Sequence, residues 1–181
     1  IISSTDLYGG TVNLFNNTLS KQGIEVRFAD PINPKNFENL IDERTRAFYS
    51  ETLPNPYLRV FPISEVANIG KKYNIPLIVD NTAAPIICNP IEHGAAVVIH
   101  SLTKYIGGHG TVIGGIIIDG ANFDWTADPI RQPLFNNPDR SYSGVIWGKD
   151  IPKIFNYDIS FAVRARVVLL RDLGSCLSPD N

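Results

Sequence analysis

Between Ala95 and Gly115 the chain reads AAVVIHSLTKYIGGHGTVIGG, and this stretch restricts the fold more than any other. The run from Ala95 to Ile99 is apolar and β-branched enough to be a buried strand of a parallel sheet. It gives way at His100 to Ser101-Leu102-Thr103-Lys104, and then to a glycine-rich turn, Gly107-Gly108-His109-Gly110. A second β-branched run, Val112 to Asp119, carries its own glycine pair, Gly114 and Gly115. Two hydroxyls and a lysine thus stand at the carboxyl end of a buried strand, the end where open α/β sheets place their ligand crevice.

The rest of the chain supplies partners for such a strand. Leu7-Tyr8-Gly9-Gly10-Thr11 reads as a turn into a helix that runs to about Lys21, with Gly23 as its stop. Strands are expected at Ile24 to Phe28, Arg46 to Glu51 and Ile75 to Asp80, with Ile1-Ile2-Ser3-Ser4 as the end of another. Pro34 to Ile41 reads as a short helix with its proline near the first turn. Ser64 to Lys72 reads as an amphipathic helix turning Ile63, Val66, Ala67 and Ile69 to a sheet. Strand and helix alternating at this spacing imply right-handed crossovers. The expected fold is therefore α/β, a mostly parallel sheet flanked by helices. Ser160 to Leu173 predicts a further helix with an apolar stripe through Phe161, Ala165, Val168 and Leu169, ended by Gly174. Asn122 to Ser160 is too long for a bare loop. It reads either as a cover over the site or as a subunit-contact arm.

Chemistry follows from the strand ends. A lysine that forms a Schiff base with an aldehyde cofactor needs donors nearby for the cofactor's phosphate, and Ser101 and Thr103 flank Lys104 closely. Such a cofactor also needs an acid for its pyridine nitrogen, and Leu77-Ile78-Val79-Asp80 ends in one. A lysine after a strand is usually a solvated residue, and an acid there is usually a cap. Together on neighbouring strand ends they favour pyridoxal phosphate.

The motifs SLTKYIGGHG, VDNT upstream and LYGGT near the start resemble the Cys/Met-metabolism family of pyridoxal-phosphate enzymes, along nearly the whole chain. Within it, IGGHGTVIGG and the later FDWT are most similar to the O-acetylhomoserine sulfhydrylase (homocysteine synthase) branch. The resemblance implies the aspartate aminotransferase-like large domain of fold type I, of which residues 1–181 are the central part, without the N-terminal arm or the small C-terminal domain. It implies a γ-replacement joining sulfide to O-acetylhomoserine, with cystathionine γ-synthase or a γ-lyase as alternatives. Lys104 would hold the cofactor and shuttle protons, and Asp80 would keep the pyridine nitrogen protonated. Tyr8 would stack on the ring, and Ser101 and Thr103 would hold the phosphate. Asn55, between Pro54 and Pro56, would bond near the phenolic oxygen and the substrate carboxylate; alone it reads equally as a turn former. Thr82 would support the cofactor or cap its loop. Asn81-Thr82-Ala83-Ala84-Pro85 departs from the family pattern, being one residue shorter and lacking a bulky side chain. The family norm implies a homo-oligomer, a dimer or tetramer, whose partner subunit and C-terminal region complete the site. The isolated chain is then expected to be catalytically silent.

Composition excludes several other classes. Sixteen lysines and arginines against eighteen acids leave no basic field for nucleic acid or a membrane surface. Two distant cysteines, Cys88 and Cys176, make no disulfide framework and fit a reduced, cytoplasmic compartment. His93, His100 and His109 match no compact ligand spacing, so no metal site is expected, and His100 is placed beside the phosphate-binding turn. The chain has no methionine and stops at Ser178-Pro179-Asp180-Asn181, just past a helix, and so reads as an internal piece of a longer protein.

Overall fold

The computed structural model describes residues 1–175; Cys176 and the closing Ser178-Pro179-Asp180-Asn181 lie outside the described residues. Its centre is a six-stranded sheet of β1 (Ile2–Ser4), β2 (Arg27–Ala29), β3 (Phe48–Glu51), β4 (Leu77–Asp80), β5 (Val97–Ser101) and β6 (Gly115–Asp119). The spatial order is β2-β1-β3-β4-β5-β6. All neighbours run parallel except β5 and β6, which are antiparallel. The mostly parallel α/β expectation holds.

One face of the sheet is covered by α2 (Lys35–Asn39) and α3 (Ile63–Lys72). Ile2, Phe48, Leu77, Val79 and Val98 from the strands bury against Phe37, Val66 and Ala67 from these helices. Helix α3 turns into β4 so tightly that a Cβ on Gly70 would lie 2.4 Å from the Ile75 carbonyl oxygen. Only glycine allows that approach.

On the opposite face, α1 (Gly9–Asn13) continues through a wide turn, Leu14–Leu19, and a tighter one, Ser20–Gln22, and Phe15 of the wide turn packs edge-on against Tyr49 of β3 at 5.1 Å. Gly23, at φ 78°, ends the helix in the left-handed region, as its position predicts. At the β5 side the same face carries α4 (Pro133–Asn136), α5 (Trp147–Phe155) and α6 (Ser160–Arg164). Ala96 and Val97 bury there against Trp125, Phe135, Trp147 and Ile151. The Trp125 ring stacks on Phe135 at 4.4 Å and on Phe161 at 5.3 Å.

This second core answers the first of the two readings of Asn122 to Ser160, a cover over the site. The segment is a packed layer whose aromatic residues supply much of the burial on that face, and none of its residues lines the cavity described below. Two side chains from it fasten the far edge of the sheet. Arg131 Nη1 donates to the Asp42 carbonyl at 3.0 Å, and Gln132 Nε2 donates to the Arg46 carbonyl at 2.8 Å. The helix from Ser160 continues through Ala165–Leu170 into α7 (Arg171–Leu173), ended by Gly174 at φ 74°. Its packed stripe is Phe161, Val163, Val167 and Val168, whereas Leu169 is half exposed. The second β-branched run pairs only from Gly115 onward; Val112 to Gly114 belong to the connecting turn.

Candidate active site

In the parallel ladder Glu51 is level with Asp80, and Asp80 with Ile99. The register thus brings the ends of three neighbouring strands, β3, β4 and β5, to one height on the carboxyl side of the sheet. Above them lies a cavity of about 720 Å³, lined by Tyr8, Asn55, Asp80, Thr82, Ser101 and Lys104, with Leu53, Leu58, Ala83, Tyr105 and Gly108 completing its wall. That volume lies within the usual range for small-molecule sites. Six of the seven residues singled out by the sequence therefore line one cavity.

Lys104 follows β5 in a wide turn, Leu102–Ile106, and its backbone is non-helical at φ −96° and ψ −120°. The side chain is exposed. Gly107 closes the turn: a Cβ there would meet the Leu102 carbonyl oxygen at 2.5 Å. Asp80 ends β4 with Oδ1 accepting the Thr82 N–H at 2.9 Å, which orients the carboxylate. Thr82 Oγ1 in turn accepts the Ser101 N–H at 2.7 Å and ties the loop after β4 to the end of β5. Thr82 is thus both lining and fastener. Tyr8 is 52% exposed at the start of α1, with its ring against Gly10.

Thr103 is the seventh, and the structure does not bring it to the cavity. Its hydroxyl accepts the Gly114 N–H at 3.1 Å and lies 3.3 Å from the Gly114 carbonyl oxygen, closing the connection between β5 and β6. His100 is a second correction. It is buried and lines a separate 300 Å³ pocket with Asn81 and Cys88, because alternate residues of a strand face opposite sides and Ser101 takes the other one. Among the described residues no group of three or more His, Cys, Asp and Glu could hold a metal ion, and no helix is long and apolar enough to cross a membrane.

Glu51 is the residue that the sequence reading passed over. It is 7% exposed, and its Oε1 accepts the Tyr8 N–H at 2.7 Å. Burial pushes its carboxyl up to about 7; the Tyr8 N–H opposes this, the neighbouring charge of Asp80 adds to it, and the Asn55 N–H also opposes it. Tyr49, below it on the same strand, is raised as well, first by burial and then by Asp80 and Glu51. The available signal was positional: Glu51 ends β3 as Asp80 ends β4.

The donor set fits pyridoxal phosphate. One amine, one oriented carboxylate on the adjacent strand end, an aromatic face and a strand-end hydroxyl answer its aldehyde, pyridine nitrogen, ring and phosphate. An α/β domain with this set at the carboxyl ends of parallel strands has the form of a pyridoxal-phosphate-binding domain. The chain belongs to the Cys/Met metabolism PLP-dependent enzyme family, whose model matches residues 1–181. It is 47% identical over 186 residues to the O-acetyl-L-homoserine sulfhydrylase of Leptospira meyeri, covering 100% of this chain and 41% of that protein. It is 43% identical to the homocysteine/cysteine synthase of Saccharomyces cerevisiae, covering 99% and 40% respectively. A crystal structure of an O-acetylhomoserine (thiol)-lyase from Campylobacter jejuni, solved with N'-pyridoxyl-lysine-5'-monophosphate, superposes with a TM-score of 0.88 at 37% identity, covering 99% of this chain and 43% of that one. The chain therefore spans about two fifths of the length of the curated relatives it matches.

Proposed function

We propose that residues 1–181 form the central part of the cofactor domain of an enzyme that converts O-acetyl-L-homoserine and sulfide into L-homocysteine and acetate. The observation that carries this is the convergence of Lys104 and Asp80 on one cavity from neighbouring strand ends. The names of the relatives support the choice of donor and acceptor. Bound pyridoxal phosphate supplies an electron sink for the carbons of the amino-acid substrate.

The chain's own residues perform the rest. The Lys104 amine holds the cofactor, and when released it moves protons at the α and β carbons of the substrate. Asp80, oriented by Thr82, holds a proton at the pyridine nitrogen. Tyr8 stacks on the ring, and Ser101 with the loop fastened by Thr82 receives the phosphate. Asn55 orients the substrate carboxylate. Thr103 shapes the turn that carries Lys104; a direct phosphate bond from it requires release from Gly114. Ala83, small where a bulky side chain is expected, widens the wall on which a γ-substituent would rest. This keeps a second reading in play, a cystathionine γ-synthase or γ-lyase. The assembly is proposed to be a homodimer or tetramer working in the cytoplasm, and the 181 residues alone are proposed to be inactive.

Borohydride reduction after mixing with pyridoxal phosphate, followed by peptide mapping, is expected to label Lys104 and no other lysine. In the protein at the length of its relatives, Lys104→Ala is expected to lower turnover by about 10²–10⁴-fold or more. Unimpaired turnover by that variant would sink the assignment. Supplying sulfide, cysteine or no acceptor distinguishes the sulfhydrylase from the two alternatives.

A further inference from the structure

Two of the cavity's residues meet at a third that does not line it. Glu51 lies behind the lining at the end of β3 and accepts the backbone N–H of Tyr8 at 2.7 Å. It stands level with Asp80 on the adjacent strand. Tyr8 belongs to the turn before α1, which the sequence separates from Glu51 by 43 residues. A buried carboxylate that accepts the Tyr8 N–H fixes the turn before α1 to the end of β3.

We propose that Glu51 is a positioning residue whose ionised carboxylate holds the Tyr8 turn at the cavity rim beside Asp80. Pyridoxal phosphate is then bound tightly only where Glu51 is ionised. The inference rests on the cofactor reading given above. Burial and the neighbouring side chains oppose the ionisation of Glu51, and the Tyr8 N–H assists it. Asp80 from β4 is an acid, Tyr49 from β3 is a buried phenol, and the Tyr8 turn contributes its uncharged N–H. Lys104, from the turn after β5, is a lining residue of the cavity above and is exposed. With its carboxyl raised to about 7, Glu51 changes charge within the physiological range. A protonated carboxyl is a poorer acceptor for the Tyr8 N–H, so lowering the pH slackens the turn that carries Tyr8.

The test compares wild type, Glu51→Gln and Glu51→Ala in the full-length protein. Binding of pyridoxal phosphate is titrated at about pH 6 and about pH 8.5. At the higher pH, Glu51→Gln is expected to bind about tenfold more weakly than wild type, the difference between a charge-assisted and a neutral hydrogen bond. At the lower pH the two should be equal. Glu51→Ala, which lacks any acceptor, should be weaker than both at either pH. In parallel, infrared difference spectra should show a protonated carboxyl that titrates near 7 in wild type and is missing in Glu51→Gln, with its midpoint lowered by Asp80→Asn. Wild type and Glu51→Gln binding alike at both pH values, or differing by the same factor at both, would overturn the proposal. A wild type that binds no pyridoxal phosphate at any pH refutes the cofactor reading instead. In that case the infrared titration still decides whether Glu51 is the ionising group.

Discussion

Gly10 offers a substitution whose effects on the fold and on the site should part company. A Cβ built there would lie 2.6 Å from Tyr8 Cε1 and 3.2 Å from Cδ1. Ordinary contact begins at 3.4 Å, so the ring must retreat by about 0.8 Å. It can do so, because Tyr8 is 52% exposed and its side chain is free to rotate. Gly10 lies within α1, and alanine is the better helix former by roughly 0.5–1 kcal/mol. Gly10→Ala should therefore leave stability unchanged or slightly raised. A displacement near 1 Å of a positioning group can cost on the order of 10²-fold in rate. Gly9→Ala is the matched control: it sits in the same helix, and nothing lies within 4 Å of the added methyl. Thermal midpoints of both variants should equal or exceed that of wild type, while pyridoxal phosphate affinity and kcat/KM fall only for Gly10→Ala. Equal activity of the two variants would refute the reasoning and remove Tyr8 from the site.

Trp125→Ala should destabilise the chain by about 3–5 kcal/mol, because the ring is 2% exposed and stacks on both Phe135 and Phe161. A denaturant midpoint close to wild type would show that the layer from 122 to 160 is not core. Asp42 should mark acid unfolding. Burial alone would raise its carboxyl, but Arg27 at 3.0 Å and Thr45 at 3.0 Å outweigh this and hold it down to about 2. A carboxyl lowered in the folded state contributes stability that is present above its unfolded value and lost as pH falls through the folded one. The loss is thus expected between about pH 4 and pH 2. In Asp42→Asn that part of the acid-stability profile should flatten.

How much of this was legible follows from where each residue's conformation is decided. Asp80 and Lys104 could be read because a strand buried on both faces is an apolar run, and its first polar neighbours mark the end where ligands sit. Tyr8 and Asn55 came from motif resemblance, since a glycine turn and a proline-flanked asparagine are ambiguous by themselves. Ser101 ends β5 at the cavity, whereas Thr103 lies in the turn beyond it with its hydroxyl taken by Gly114, a partner eleven residues away that the sequence does not announce. His100 reads as a neighbour of the site in one dimension, yet the two-residue period of the strand turns it to the other face. The layer from 122 to 160 has short helices, α4 and α5, with too few turns to show a period, so its burial of Trp125 and Trp147 was invisible before tertiary packing was known. An acid at a strand end looks the same whether water or a turn lies above it, and so Glu51 was missed.

Glu51 also sets the fold against the site, and the sign can be worked through. Its carboxyl is raised from the ordinary 4.5 to about 7 in the folded chain, first by burial, with the Tyr8 and Asn55 N–H groups only partly offsetting this and the Asp80 charge. The folded state therefore holds the proton more tightly than the unfolded one. The associated stability is fully present below about 4.5 and is lost as pH rises through about 7. The proposed positioning role needs the opposite state, a carboxylate gripping the Tyr8 N–H. The site is thus set in order by the same deprotonation that weakens the sheet beneath it, an arrangement common where strain is kept at a functional position. Glu51→Gln removes the conflict by holding the uncharged state at every pH. Its denaturation midpoint should match wild type near pH 5 and exceed it near pH 8, while its cofactor affinity near pH 8 falls below wild type. A variant that gained neither stability nor lost affinity at the higher pH would show that Glu51 is neutral throughout and that the Tyr8 turn is held by other bonds.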